Sequence, residues 1–233
     1  GVNSAELSFL YNGSVDDKGI ISLLITTIAQ IYISITYSKY SQIQSKNKLS
    51  GFETAKKILE KNNLEKLYVV ETQGTLTDHY DPKAKVVRLS HNVFDEDSIS
   101  SIAISAHECG HAIQDKNKNK FMRIRSFLVP FVNFSTKMGY IVVLLGAILG
   151  MFQLIYFGII LLMIILLFQL VTLPVEIGAS HNALKYLEEY NILEKEEVED
   201  AKKVLTSAAL TYVASLASTI IEVLRLLSMT NND

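Results

Sequence analysis

The sequence predicts a mainly α-helical membrane protein. About four transmembrane helices carry a small cytoplasmic α+β subdomain, a β-hairpin followed by a helix with the string HECGH. Three observations lead there. Residues 19–38, 138–175 and 204–221 contain no Asp, Glu, Lys or Arg. The longest of these runs, 38 residues, is far more than the core of a soluble 233-residue chain requires. Between the first two runs lies a charged segment in which strand-like stretches are flanked by apolar residues at helical spacing.

The N-terminal segment, 1–18, carries Lys18 against Glu6, Asp16 and Asp17, and its start is not basic. With no small-residue cleavage site after the apolar run, a signal peptide is disfavoured. Residues 19–38, "GIISLLITTIAQIYISITYS", form the first transmembrane helix. Twenty residues at ~1.5 Å each just cross a ~30 Å hydrocarbon core. Gln30, Ser34 and Thr36 weaken this assignment, and a buried soluble helix is the plainer alternative.

Residues 39–137 make the soluble region. "GFETAKKILEKNN" (51–63) spaces Phe52, Ala55, Ile58 and Leu59 as the apolar stripe of an amphipathic helix. "LYVVET" (67–72) reads as a strand, and 76–90 as a hairpin that turns at Asp81–Pro82 and returns along "KVVRLS". "DEDSISS" then supplies acidic and Ser residues suited to a helix start. Ile99, Ile102, Ala103 and Ala106 form the buried stripe of the helix that follows.

Residues 138–175 would make a helix of ~57 Å if continuous, about twice the membrane core, so two helices with a tight turn near Gly150–Gln153 fit better. Residues 176–203 form a cytoplasmic helical segment. The fourth span, 204–227, is rich in Ala, Ser and Thr, which let helices approach closely in lipid; a soluble packing helix is its alternative. Lys39, Lys46, Lys48, Arg123, Arg125 and Lys137 flank the soluble region, while the turn near 150 carries no charge. The positive-inside rule therefore places 39–137 and 176–203 in the cytoplasm and both termini outside.

Composition removes other classes. A net charge of −2 without a basic patch argues against nucleic acid. A single cysteine, Cys109, excludes an internal disulfide framework and a thiolate metal site.

"SAHECGHAIQD" (105–115) carries the chemistry. His107 and His111, four apart, share one helix face and can direct both imidazoles at one metal ion. Glu108 points about a third of a turn away, towards a water in the ion's open position. Zinc lowers the pKa of such a water to ~7, and a neighbouring carboxylate takes its proton as it attacks a peptide carbonyl. A solvated His/Glu face is the plainer reading. Gly110 argues against it, because Gly inside a helix costs about 1 kcal/mol unless packing needs the space.

A catalytic zinc wants a third protein ligand. The elongated motif with a third histidine is absent: Asn117 occupies that place and Gln114 the place of its glycine. Glu176, the first charge after the 38-residue run and just past Pro174, is a candidate. It could equally be a helix-start carboxylate favoured by the dipole. Asp115, His181, Glu188 and Glu189 are weaker candidates that suit solvent.

The chain resembles the YugP-type membrane zinc metallopeptidases of bacteria. The likeness runs from "ISITYSKYSQIQS" (33–45) onward through "LTDHYDP", "VVRLS", "AHECGHAIQD", "LVPFVNF", "FQLVTLPVEIGAS" and "LTYVASL", in order. Its pattern is distantly similar to the HtpX and CAAX-prenyl endopeptidases, in which a Glu after the membrane hairpin completes the HExxH site. The resemblance implies His107, His111 and Glu176 as ligands of one Zn2+ per chain, with Glu108 as the base. It also implies a multi-pass protein of the bacterial cytoplasmic membrane. This sequence departs from the pattern at Gly178, where Asn or Asp is usual, and at His181, where Arg is usual. Ser180 stands where the related peptidases have Asp. Ser180 and His181 are thus candidates for a role behind the ligands.

In such peptidases the strand before the active-site helix is a sheet edge on which an extended substrate pairs. "GTLTDHY" occupies that place in the sequence, which makes His79 and Tyr80 candidate substrate-positioning residues; ordinary strand residues are the plainer reading. The leading function is a membrane-embedded zinc endopeptidase acting on peptides or membrane proteins near the bilayer, with no nucleic-acid partner. A proteolytically silent scaffold or adaptor that keeps zinc for structure is the alternative. A transporter is disfavoured, since no ionisable residue lies inside the hairpin.

Overall fold

A computed structural model describes residues 17–230. The N-terminal segment lies outside the described residues apart from Asp17 and Lys18, which open the first helix, α1 (Asp17–Ser41). Asp17 in its first turn and Lys39 in its last complement the helix dipole. Helix α2 (Gly51–Lys61) starts with a capping box: Ser50 Oγ accepts from Glu53 N (3.2 Å) and Glu53 Oε2 from Ser50 N (2.8 Å). Its stripe is as expected, with Ala55, Ile58 and Leu59 buried. Half-buried Phe52 lies against Phe94, ring centroids 4.9 Å apart.

Strands β1 (Tyr68–Thr72), β2 (His79–Asp81) and β3 (Val86–Ser90) form one sheet in the order β1-β3-β2. The hairpin pairs antiparallel, His79 opposite Arg88 and Asp81 opposite Val86. Asp81 Oδ1 accepts from the backbone N–H of Lys83 (2.9 Å) and Ala84 (3.0 Å), which closes the turn. β1 pairs parallel with β3, Tyr68 opposite Val86, so β3 is central and buried while β2 is an edge.

A short helix not foreseen from the sequence, α3 (His91–Asp95), precedes α4 (Ile99–Lys116). Ser98 caps α4 by accepting from Ser101 N, 3.1 Å. Ile99, Ile102, Ala103 and Ala106 are fully buried, as their spacing predicts.

Three long helices complete the chain: α5 (Lys120–Leu149), α6 (Phe152–Glu189) and α7 (Lys195–Thr230). The turn between α5 and α6 falls on Gly150, whose φ of 63° suits glycine, and on Met151. Each helix extends past its charge-free run: α5 begins 18 residues before residue 138, and α6 continues to Glu189. With α1, they are four helices long and apolar enough to cross a membrane. The chain is a membrane protein.

The described residues divide into two units. One comprises 127–170 with the residues before 31 and after 210. Ile155, Ile159, Leu162, Val223 and Leu226 form its buried cluster, while Leu23, Leu144, Ile148 and Leu149 are exposed, as lipid-facing residues would be. Within it α5 and α6 approach so closely that a Cβ on Gly158 would lie 2.3 Å from Val143 Cγ2. The other unit comprises 31–126 and 171–210. Its core gathers Ile58, Leu59, Val87, Leu89, Ile102, Val175, Leu187 and Leu205 from the sheet and the surrounding helices. Every candidate site residue belongs to this second unit.

Candidate metal centre

α4 presents His107 and His111 one turn apart on a single face, with ring centroids 4.7 Å apart and planes nearly perpendicular. Their Nε2 atoms are 3.1 Å from each other. Glu176 comes in from α6, its Oε2 3.0 Å from His107 Nε2 and 3.4 Å from His111 Nε2. Glu176 lies well inside α6, 24 residues past Phe152, so it is no helix-start carboxylate. Its side chain is only 3% exposed, and burying a lone carboxylate would be costly without these partners.

Gly110 explains how two helices come close enough. A Cβ there would lie 2.5 Å from the Ala179 carbonyl oxygen and 3.0 Å from Ala179 Cα. Those are backbone atoms of α6, which cannot swing aside as a side-chain end can. Only glycine permits this approach, and one turn of α6 before Ala179 stands Glu176.

The other oxygen of Glu176, Oε1, is 3.3 Å from Arg125 Nη1. Behind the histidines, Ser180 Oγ is 3.0 Å from His107 Nδ1. Gln114 Oε1 is 3.0 Å from His111 Nδ1, and Gln114 Nε2 donates to the Val175 carbonyl at 2.8 Å. Burial alone would depress the His111 pKa. The hydrogen bond to Glu176 and the nearby Glu108 and Glu176 charges outweigh it and hold the imidazole above the ordinary histidine range.

Two imidazoles and a carboxylate suit zinc. Ligand atoms ~2.0–2.1 Å from a tetrahedral zinc stand about 3.3 Å from one another, and the three separations here run from 3.0 to 3.4 Å. The donor set and its spacing fit the ion. Glu108, nearly buried on the next position of α4, has no hydrogen bond or ion pair among the described residues.

The remaining candidates lie apart from this cluster. His79 is exposed on β2, its Nδ1 2.8 Å from the Thr77 carbonyl. Tyr80 is buried and donates to Asp115 Oδ2 at 2.7 Å; Asp115 also pairs with Lys85. His181, Glu188 and Glu189 are exposed. A second group, Glu71, His91 and Asp95, is wholly exposed and reads as a surface ion pair. Sequence reasoning missed Arg125 and Gln114 as parts of the site. Arg125 is read from sequence only as a topology charge. Gln114, three residues past His111 on a buried helix, was detectable as a polar group needing a partner.

Comparison with known proteins places the chain in a family. A family model described as "Putative neutral zinc metallopeptidase" matches residues 19–231. The chain is 40% identical over 197 residues to "Putative membrane protease YugP" of Bacillus subtilis (strain 168), covering 84% of this chain and 88% of that protein. No solved structure matches.

Proposed function

The chain belongs to this neutral zinc metallopeptidase family, and from that premise we propose that it is a membrane-embedded zinc endopeptidase. It hydrolyses peptide bonds of membrane or membrane-proximal proteins at the cytoplasmic face. One observation carries the reading: His107 Nε2, His111 Nε2 and Glu176 Oε2 converge at zinc-ligand spacing beside an unengaged Glu108. His107, His111 and Glu176 would hold one ion per chain. A bound zinc supplies Lewis acidity to water and to a carbonyl oxygen.

Glu108 serves as the base. Its carboxylate is free to accept the proton of the attacking water and to pass it to the leaving amine, since no partner competes for it. Arg125 pairs with the outer oxygen of Glu176 and so helps to keep the other oxygen directed at the histidines. β2, an edge strand among the described residues, offers its outer backbone groups to an extended peptide, with exposed His79 placed to contact it. Tyr80, bound to Asp115, acts by holding β2 against α4. Glu176 is the first charge after 38 apolar and neutral residues, which suits substrates at the bilayer surface.

The decisive experiment compares zinc content with peptide-library turnover in purified full-length protein. Glu108→Gln should retain about one zinc per chain and lose hydrolysis by two or more orders of magnitude, as removal of a general base does. His79→Ala should keep zinc and cleave more slowly. Undiminished cleavage by Glu108→Gln would remove the base assignment, and zinc without turnover in the unaltered protein would favour the silent-scaffold alternative. Loss of zinc in a folded His79→Ala protein would reopen the ligand set.

A further inference from the structure

We infer that Gln114 is a positioning residue that fixes the proton of His111 and ties it to the helix bearing Glu176, and that Gly178 is glycine because that amide needs its space. The inference rests on the zinc-centre reading above. The orientation of the Gln114 amide follows from chemistry. The Val175 carbonyl accepts only, so the amide NH2 faces it at 2.8 Å. The amide oxygen must then face His111 Nδ1, at 3.0 Å, and that oxygen also accepts only. Nδ1 of His111 therefore carries a proton and donates, which leaves Nε2 as the nitrogen that faces Glu176 and that would ligate an ion.

A single buried side chain thus joins two ligands. Through its oxygen it sets the tautomer and ring angle of His111. Through its nitrogen it grips α6 at Val175, the residue adjacent to Glu176. The corresponding partner of His107 has no such power, because the hydroxyl of Ser180 can donate or accept and does not dictate which nitrogen of His107 holds the proton.

Gly178 provides the independent observation. A Cβ at 178 would lie 2.8 Å from Gln114 Nε2, with nothing else within 4 Å. The obstacle is the end of a flexible side chain, so an alanine would fit the fold by pushing the amide off the Val175 carbonyl. This distinguishes Gly178 from Gly110, where the obstacle is backbone. A side chain at 178 should consequently disturb the metal centre without disturbing the fold.

The test uses full-length protein in detergent, stripped of metal and titrated with zinc against a chelator of known affinity. Gln114→Ala should weaken zinc binding by about 10–100-fold, the usual loss when an outer partner of a ligand is removed. Gly178→Ala should weaken it by about tenfold while the Tm of the metal-free protein holds or rises, since Ala is the better helix residue. Added to Gln114→Ala, Gly178→Ala should change affinity less than about twofold, because the amide it displaces is already gone. Equal effects of Gly178→Ala in both backgrounds, or wild-type affinity in Gln114→Ala, would overturn the inference. If Gln114→Ala does not fold, Gly178→Ala alone decides, and unchanged zinc affinity refutes the bridge. His107→Ala separates the two levels. Should it bind zinc like wild type, the zinc-centre reading fails; should it lose zinc while the Gln114 and Gly178 variants keep theirs, only the bridge fails.

Discussion

The two carboxylate oxygens of Glu176 have different duties: Oε2 faces both histidines, and Oε1 faces the Arg125 guanidinium. A neutral amide cannot replace this. In Glu176→Gln, an NH2 turned to Arg125 sets donor against donor, and one turned to the histidines removes the ligand oxygen. Zinc affinity should therefore fall by more than the ~10–100-fold that loss of an outer partner costs, whereas exposed Glu188→Gln should leave it unchanged. A chelator-competition titration of both variants checks this, and the reverse ranking would move the third ligand elsewhere. At this scale, His107, Glu108 and His111 are legible in the sequence because their spacing alone puts two imidazoles on one face of a helix. Glu176 is legible only through its place after the hairpin and the family resemblance, because nothing local ties it to residues 65 or more positions earlier. Arg125 and Gln114 reach the site through contacts that cross between helices, and no sequence period records such contacts.

Among the elements, α4 and α6 meet where Gly110 faces the Ala179 backbone. Two effects oppose each other in Gly110→Ala. Helix propensity favours Ala by about 1 kcal/mol, while overpacking against rigid backbone costs about 1–3 kcal/mol. With the nearest atom 2.5 Å away, the second effect should win. The variant should show a lower Tm and, since α6 must move, lose most of its zinc. A Gly110→Ala protein as stable and zinc-replete as wild type would mean that the helices do not need this approach. Gly110 is also the residue whose unfavourable place in a helix signals packing from sequence alone. The hairpin is similarly legible, through Asp81–Pro82 and the β-branched return strand that follows. The parallel pairing of β1 with β3 is not, because it depends on which edge of the return strand the hairpin leaves open. Helix lengths are underestimated for a plain reason. Charge-free runs mark what lipid tolerates, whereas α6 continues past Glu176 because the residues after it bury Ala179, Ala183 and Leu187 on one face.

For the whole molecule, the number of crossings and the position of charge decide which side of the membrane the metal centre faces. Among the described residues four helices are long and apolar enough to cross a membrane, and four crossings would put the stretch between α1 and α5 and the stretch between α6 and α7 on one side, opposite the α5–α6 turn. Lys46 and Lys48 lie in the stretch that holds His107 and His111, and Lys39, Arg123 and Arg125 in the helix ends that bound it, while the α5–α6 turn at Gly150–Met151 carries no charge. The positive-inside rule weighs Lys and Arg near span ends, so this asymmetry predicts a cytoplasmic metal centre. Cysteine accessibility in intact cells tests it. Cys109 is fully buried, so Cys109→Ala removes the background thiol at the cost of one small packed group. Lys46, exposed and paired with Glu194 only at the surface, tolerates Cys, since such pairs contribute about 0–1 kcal/mol. Met151, half-exposed in the turn, marks the opposite side. An impermeant thiol reagent should label Met151→Cys in intact cells and Lys46→Cys only after the membrane is opened. The opposite pattern would place His107, His111 and Glu176 outside the cytoplasm and make extracytoplasmic chains the accessible substrates, with the chemistry of the site unchanged.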